Sequence, residues 1–309
     1  MLITRWEKQL LLVPAIISVL AILALVVWGL RPGIDLMGGS LLQVSYLPTG
    51  QAGQDARPPI TQVQAIVAPL QLGEVRVQPS GTNGYILRQR DLSPEEKNNL
   101  EIVLGGLGKV HEDQFSSVGP TIGRELLQKG LIALGLVAVS IILFIAFAFR
   151  KVSKPVQSWK YGIIAIVTLV HDILIPTGLF ALLGHITGAE VDSLFIVALL
   201  TLLGVSINNT IVVFDRIREN LRLNEEKSRH EAFNSVVGRS IMQTLARSIN
   251  TSLTVVIVLA ALYFLGPIST QNFALTLIVG MVAGTYSSIF LASPLLVVWS
   301  KWSSARPGK

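Results

Sequence analysis

The stretch VSINNTIVVFDRIREN, residues 205–220, passes from an apolar segment into alternating acidic and basic residues. Its apolar half carries two adjacent amides, Asn208 and Asn209. In membrane helices, amide side chains form hydrogen bonds between helices that are worth about 0.6 kcal/mol each. The stretch therefore predicts a transmembrane helix with a polar seam, followed by a solvated segment that begins near Asp215.

The composition of the whole chain has the same membrane character. Of its 309 residues, 51% are hydrophobic and only 14% are charged, which is typical of a multispanning membrane protein and unlike a soluble domain. The chain contains no cysteine, so disulfides, thiolate metal sites and catalytic thiols are excluded.

Six segments are apolar over the length of about 20 residues that a membrane helix needs. The first is predicted to be a retained helix, because it is long and lacks a small-residue cleavage site before RPGIDLMGG. The predicted fold class is therefore a polytopic α-helical membrane protein with six transmembrane helices. The predicted spans are 10–30, 130–149, 161–184, 193–214, 248–266 and 272–300.

Basic residues indicate the orientation of these spans. Lys and Arg gather on one side, whereas the loops GHITGAEVD and GPISTQ on the other side contain none. By the positive-inside rule, residues 1–30 form a cytoplasmic N-terminus and the first transmembrane helix, and residues 31–128 form a periplasmic domain. Residues 129–300 form a five-helix transmembrane bundle, and residues 301–309 form a cytoplasmic tail. The basic residues that support this orientation outside the 215–247 loop are Arg5, Lys8, Arg150, Lys151, Lys154, Lys160, Lys301, Arg306 and Lys309.

The segment 215–247 is also assigned to the cytoplasmic side. It mixes acidic and basic residues and becomes apolar again near Ile241. This pattern predicts a mostly helical element that lies along the membrane surface.

The periplasmic block has the periodicity of a small α+β domain. LLQVSYL, EVRVQP, GYILRQR and KVHEDQFSSV are predicted strands, and TQVQAIVAPLQ is a predicted helix. A second helix, SPEEKNNLEIVLGGL, begins with a capping box formed by Ser93 and Glu96. The order β-α-β-β-α-β predicts a ferredoxin-like domain, and PTGQAGQDARPP is predicted to be a flexible loop.

Sequence motifs for catalysis or cofactor binding are missing. MGGS at 37–40 lacks the spacing of a phosphate-binding loop, and no nucleophile elbow is present. The histidines at 111, 171, 185 and 230 have no metal-ligand spacing, and those outside the spans are interpreted as solvated side chains. We therefore expect no enzymatic activity, no cofactor, no metal and no nucleic acid partner.

The candidate functional residues are the polar groups within the spans. His171 and Asp172 lie in the middle of the third span, one turn before Pro176, and a charge in that place costs at least about 2.5 kcal/mol. Adjacent side chains point about 100° apart on a helix, so a local His-Asp pair is not assured. Asp172 therefore indicates either a functional site or a buried structural network.

The remaining candidates each have a structural alternative. Ser206, Asn208 and Asn250 can serve only as hydrogen-bonding groups between helices. Arg247, at the start of the fifth span, can be an anchor whose charged end reaches the membrane interface. GMVAGTYSS, in the sixth span, is rich in small residues that favour close helix approach. The proton-relay or polar-seam candidates are Asp172, His171, Asn208, Asn209, Arg247 and Asn250.

Five motifs in order along nearly the whole chain resemble the SecD/SecF family of protein-export membrane proteins, and within it the SecF type. They are GIDLMGGSLLQV, VGPTIGRELLQKG, HDILI, LLGVSINNTIVVFDRIREN and RSINTSLTVVIVLAALYFLGP. Leu36 and Met37 depart from the usual form of the first motif. The family is similar in fold to the proton-driven RND transporters, which implies six helices and one periplasmic domain per subunit.

The resemblance also implies partners and a mechanism. The expected partners are a SecD-like subunit, a SecYEG-type translocon, exported unfolded polypeptide and the lipid bilayer of a bacterial inner membrane or a thylakoid-type membrane. The family's fourth-span motif usually has an aspartate, implicated in proton passage, where this chain has Asn209. An amide does not titrate, whereas Arg247 matches the family's arginine. A proton carrier facing Arg247 is therefore expected from Asp172 or from a partner subunit.

Three functions compete at this point. The first is an accessory translocase subunit that uses the proton motive force to assist export. The second is an RND-type small-molecule exporter, which is expected to need about twice this length and a titratable pair within one chain. The third is a scaffold for a SecD-like subunit without proton coupling, an alternative that Asn209 keeps open. The length and the motifs favour the first.

Overall fold

A computed structural model describes residues 7–47, 57–148, 157–229 and 231–304. The chain divides into two compact units, one of Met1–Arg31 with Leu131–Lys309 and one of Pro32–Gly130. Most of the predicted flexible loop lies outside the described residues. So do His230 and the orientation-setting residues Arg5, Arg150, Lys151, Lys154, Arg306 and Lys309.

The secondary structure follows the two periodicities of the sequence. The last membrane helix contains a π-helical turn, Ser288–Ala292, in which the Ser293 hydroxyl donates to the Ser288 carbonyl over 3.2 Å. In chain order the elements are α1 (Glu7–Trp28), α2 (Ile34–Met37), β1 (Gly39–Tyr46), α3 (Ile60–Val67), β2 (Arg76–Ser80), β3 (Gly84–Gln89), α4 (Pro94–Gly105), β4 (Val110–Val118), α5 (Pro120–Ala148), α6 (Ser158–Ile186), α7 (Ser193–Glu226), α8 (Phe233–Leu265), α9 (Ile268–Ser287) and α10 (Ser293–Ser304).

Six helical stretches among the described residues are long and apolar enough to cross a membrane, with α9 and α10 counted as one. This confirms the predicted polytopic fold. Their inner faces pack around buried aromatic residues, such as Tyr161 and Phe214, whose rings meet edge to face at 5.2 Å. Many of the other apolar side chains on α1, α5 and α8 are exposed, as expected for helices that contact lipid or another subunit.

The 215–247 segment differs from its prediction. It is helical, but it does not form a separate surface helix. α7 continues to Glu226 and α8 begins at Phe233, so the two helices form one long hairpin. The Asn220 amide donates to Ser240 Oγ over 2.8 Å and to Gln243 Oε1 over 2.9 Å. Since these polar contacts hold the two helices together beyond their apolar segments, the charged residues need no membrane surface to remain helical.

The unit Pro32–Gly130 contains a four-stranded sheet with the order β2-β3-β1-β4, in which all neighbouring strands are antiparallel. With α3 between β1 and β2 and α4 between β3 and β4, this is the ferredoxin-like topology predicted from the sequence. Alternate residues of β1, including Leu42 and Val44, are buried against side chains of both helices, such as Val63 and Leu100. The helices therefore cover one face of the sheet.

Helix α4 begins with the predicted capping box. Glu96 N–H donates to Ser93 Oγ over 3.2 Å, and Ser93 N–H donates to the Glu96 carboxylate over 2.9 Å. A hydrogen bond from Arg90, together with the bond from the Ser93 backbone, lowers the pKa of Glu96 to about 2. Glu96 therefore remains ionised in acid well below the ordinary range of a glutamate.

Two sequence motifs that are far apart in the chain meet at the start of α5. A Cβ added at Gly38 lies 2.5 Å from Pro120 Cα, and one added at Gly123 lies 2.6 Å from Gly38 N. Gly38 also has φ +85°, which favours glycine. Backbone therefore contacts backbone between GIDLMGGS and VGPTIGRE, which explains why glycines occur in both motifs.

Candidate functional site within the membrane helices

A buried carboxylate lies where α6, α7 and α9 meet. Asp172 of α6 is 1% exposed, and Ser206 of α7 donates its hydroxyl hydrogen to Asp172 Oδ2. Gly284 of α9 closes the junction, because a Cβ added there would lie 3.4 Å from Asp172 Oδ2 and 3.4 Å from Ser206 Cβ. The third helix therefore packs directly against this polar contact.

His171 completes this group. Its Nδ1 lies 2.9 Å from Asp172 Oδ1, although sequence position alone did not assure a pair. The imidazole is 6% exposed, and in the part of the chain that the structure describes its Nε2 has no hydrogen-bond partner. One turn later, Pro176 lacks an N–H and leaves the Asp172 backbone carbonyl without its helical donor. We name His171, Asp172 and Ser206 the buried triad.

The two asparagines of the opening stretch point in different directions. Asn209 is 5% exposed and lies on the same face of α7 as Ser206, Thr210 and Val213. Asn208 is exposed. Only one amide therefore belongs to the interior of this chain, and the other faces lipid or another subunit.

Arg247 and Asn250 are both on the exposed face of α8. Among the described residues Arg247 forms no ion pair, so the structure does not bring it together with Asp172. The opposite face of α8 points inward: Ser248 and Ser252 are buried, and Ser252 Oγ lies 2.6 Å from Thr285 Oγ1 of α9. Of the six candidates, three are buried and three are exposed. The buried ones are His171, Asp172 and Asn209, and the exposed ones are Asn208, Arg247 and Asn250.

A further polar network in the α7–α8 hairpin was not identified from the sequence. Arg239 lies 3.0 Å from the Glu231 carboxylate and 3.3 Å from Asn224 Oδ1, and Asn220 contacts Ser240 as described above. Asn220 and Asn224 are both buried. Their spacing of four residues places both amides on one face of a helix. In an otherwise charged segment, this spacing was the feature of the sequence that could have indicated the network.

Metal binding has no evident place in this arrangement. Within the described ranges, no three His, Cys, Asp or Glu side chains come close enough together to hold an ion. What the buried triad provides is one carboxylate, one imidazole and one hydroxyl, a set suited to holding or passing a proton rather than to binding a cofactor.

Comparison with known proteins places the chain in a family. The family model described as protein export membrane protein SecD/SecF, C-terminal, matches residues 102–302. The protein translocase subunit SecF of Thermobaculum terrenum is 41% identical over 303 residues, which is 96% of this chain and 93% of that protein. The protein of the same name from a Synechocystis species is 37% identical, over 98% of this chain and 95% of that one.

Longer proteins match over part of their length. The protein translocase subunit SecDF of Bacillus subtilis is 32% identical over 96% of this chain but only 38% of its own length. The crystal structure of SecDF from Thermus thermophilus, described as a translocon-associated membrane protein, superimposes with a TM-score of 0.81 and 30% identity. The superposition covers 96% of this chain and 38% of the SecDF chain. The chain therefore spans well under half of the fused relatives. By its motifs, its fold and these similarities, the chain belongs to the SecD/SecF family of protein export membrane proteins.

Proposed function

We propose that this chain is an accessory subunit of a Sec protein translocase and assists the export of unfolded polypeptides. The observation that carries the proposal is the nearly full-length similarity to proteins named as translocase subunits. The proposed role is mechanical and not enzymatic, in keeping with the names of these relatives.

The proposed partner within the membrane is a SecD-like subunit. In the fused SecDF proteins the region similar to this chain is one part of a longer polypeptide, which supports a partner that supplies the remainder. The exposed face of α8 supports the same partner, because Arg247 in contact with hydrocarbon is costly and a second subunit can shield it. Asn250, which is also exposed on α8, extends this polar surface.

Coupling to the proton motive force is proposed to involve Arg247 and a carboxylate of the partner. A nearby arginine favours the ionised form of a carboxylate until a proton neutralises it. Asn209 cannot take this role because an amide does not titrate, and Asp172 is buried where α6, α7 and α9 meet, whereas Arg247 is exposed. A partner helix facing α8 is therefore the proposed source of the acid.

The proposed location is the bacterial inner membrane, or a thylakoid-type membrane, with both termini in the cytoplasm and residues 31–128 in the periplasm. The absence of Lys and Arg from the loops 184–192 and 266–271 supports this orientation. A SecYEG-type translocon is the proposed site of action. A self-contained small-molecule exporter is less well supported, because the similar proteins described above are named protein translocase subunits.

Site-specific crosslinking tests both the partner and the interface. The chain contains no cysteine, so Asn250→Cys introduces a single thiol on the proposed interface. Ile249→Cys introduces one at an exposed apolar position that lies about 160° from Arg247 around the same helix. In membranes that contain the proposed partner, a short thiol-reactive photocrosslinker should join the first variant to the SecD-like subunit. Equal crosslinking from both positions, or none from either in membranes where the partner is present, would contradict the proposed interface.

The rate at which cells secrete a reporter protein tests the proposed function itself. Cells that lack the chain should secrete a reporter protein more slowly, and the unmodified chain should restore the rate. A normal rate without the chain would refute the translocase role, and a rate that an uncoupler affects equally with and without the chain would favour the scaffold without proton coupling.

A further inference from the structure

The buried triad is not used by the proposed interface, and in it a buried carboxylate lies in direct contact with a buried imidazole. Asp172 accepts a hydrogen bond from Ser206 and lies within hydrogen-bond distance of His171 Nδ1, and among the described residues the buried His171 Nε2 has no partner. When Asp172 is ionised, His171 Nδ1 must carry the hydrogen between them, because a carboxylate only accepts. Nε2 is then a free lone pair.

Charged side chains are distant from the triad on every helix that packs against it. On α6 the nearest are Lys160 and His185, about 18 Å and 20 Å along the axis at 1.5 Å per residue. On α7 the nearest is Asp215, about 14 Å beyond Ser206. α9 has no charged residue, nor has α1 from Gln9 to Trp28. The nearest arginine of α8, Arg247, is on its exposed face.

An ionised Asp172 beside a neutral His171 therefore leaves one negative charge that no basic group compensates. A charge at such depth costs at least about 2.5 kcal/mol on insertion scales. A single added proton removes the net charge, because imidazolium and carboxylate then form an ion pair at a distance of 2.9 Å. The geometry already provides the acceptor for that proton at Nε2.

We propose that His171 and Asp172 form a proton-binding site within this chain, separate from Arg247. The proton adds to the His171 Nε2 lone pair, Nδ1–H remains bonded to Asp172 Oδ1, and no other bond is formed or broken. Because Ser206 holds the other carboxylate oxygen and Gly284 of α9 covers it, loading and release of the proton change the charge at the junction of three helices. As a step in gradient-driven export, this site rests on the proposed function.

Nuclear magnetic resonance of the full chain, labelled with ¹⁵N-histidine and placed in lipid nanodiscs, tests the site directly. The His171 signals, identified by their loss in His171→Gln, should change from imidazolium to neutral imidazole between about pH 4 and pH 9, the range that spans ordinary Asp and His titration. In Asp172→Asn the imidazolium should be lost at lower pH, because its counter-charge is gone. His185→Gln, at an exposed ring stacked on Trp28, should leave the His171 signals unchanged.

The Ser206→Ala variant provides a second test of the site, because it leaves both His171 and Asp172 in place. Without the Ser206 hydroxyl, the ionised carboxylate loses a donor, so the pair should retain its proton to higher pH, and Ser206→Thr should restore the original titration. A His171 spectrum that does not change with pH, or that titrates identically in the parent and in Asp172→Asn, would overturn the proposal. Both outcomes are independent of export, since no partner subunit or translocon is in the sample.

Discussion

Replacement of Gly178 by alanine tests the packing of α1 on α6, which form an extensive helix contact. A Cβ added at Gly178 would lie 2.5 Å from both Ala21 Cα and Ala21 Cβ, and 2.9 Å from the Ala21 carbonyl oxygen. Because the contacted atoms are backbone and Cβ, no side-chain rotation relieves the overlap. The helices must separate by about 1–1.5 Å to reach ordinary carbon contacts of about 3.5–4.0 Å.

The expected effect is a loss of about 1–3 kcal/mol, the usual cost of overpacking a well-packed core. Alanine also has a higher helix propensity than glycine, which stabilises a helix interior by about 0.5–1 kcal/mol. Gly204→Ala on α7 is the matched control, since no atom lies within 4 Å of its added Cβ. Both variants carry the same propensity gain, so the difference between them isolates the steric term.

Thermal unfolding of the purified full chain in one detergent gives the comparison. Gly178→Ala should melt below the parent or close to it, Gly204→Ala should melt at or slightly above the parent, and the difference should correspond to about 1–3 kcal/mol. If Gly178→Ala melts as high as Gly204→Ala, the close approach of α1 and α6 is not a feature of the folded protein, and the reasoning fails.

Three further predictions concern other parts of the molecule. The hydrogen bond from Arg90 lowers the pKa of Glu96 to about 2, so the ionised Glu96 stabilises the sheet domain above its unfolded pKa of about 4.5, and this contribution is lost as pH falls towards 2. In Glu96→Gln that part of the acid dependence, followed by circular dichroism of the compact unit Pro32–Gly130, should disappear. Asn220→Ala removes a buried donor from Ser240 and should lower the unfolding free energy of the full chain by about 1–3 kcal/mol, measured by thermal melting. Arg247→Met should abolish gradient-stimulated export of a secreted reporter without lowering the amount of chain in the membrane.

Each of these has a control in the same element. Glu95→Gln changes a neighbouring exposed carboxylate and should keep the acid dependence. Arg218→Gln, on the same turn of α7 as Asn220, should leave the melting temperature nearly unchanged. Ile249→Ala, at an exposed apolar position of α8, should export normally. Equal behaviour of a test variant and its control would contradict the role assigned to Glu96, Asn220 or Arg247.

The spans and the sheet domain were predictable because local sequence determines them. A membrane helix needs only a sufficient run of apolar residues, and alternating residues such as Leu42 and Val44 identify a strand with one buried face. The capping box of Ser93 and Glu96 marked the start of α4 by chemistry that acts within four residues. None of these features depends on a distant part of the chain.

The 215–247 hairpin was predicted only in part, because its geometry depends on pairing between distant residues. Alternating charge correctly indicated a helix, but the same pattern suits a helix on a membrane surface and a helix that projects from the membrane. The contact of Asn220 with Ser240 distinguishes the two. Single-sequence periodicity contains no information on such a partner 20 positions away.

The rotation of α7 about its own axis determines which polar candidates face the interior of this chain. Its buried face includes Ser206, Asn209, Val213, Ile217 and Asn220, at the spacing of three to four residues that defines one side of a helix. Asn208 lies outside this stripe although it is adjacent to Asn209. The stripe runs from the carboxylate contact of Ser206 to the hairpin contact of Asn220, about 21 Å along one helix, so a single continuous helix face connects the buried triad with the hairpin.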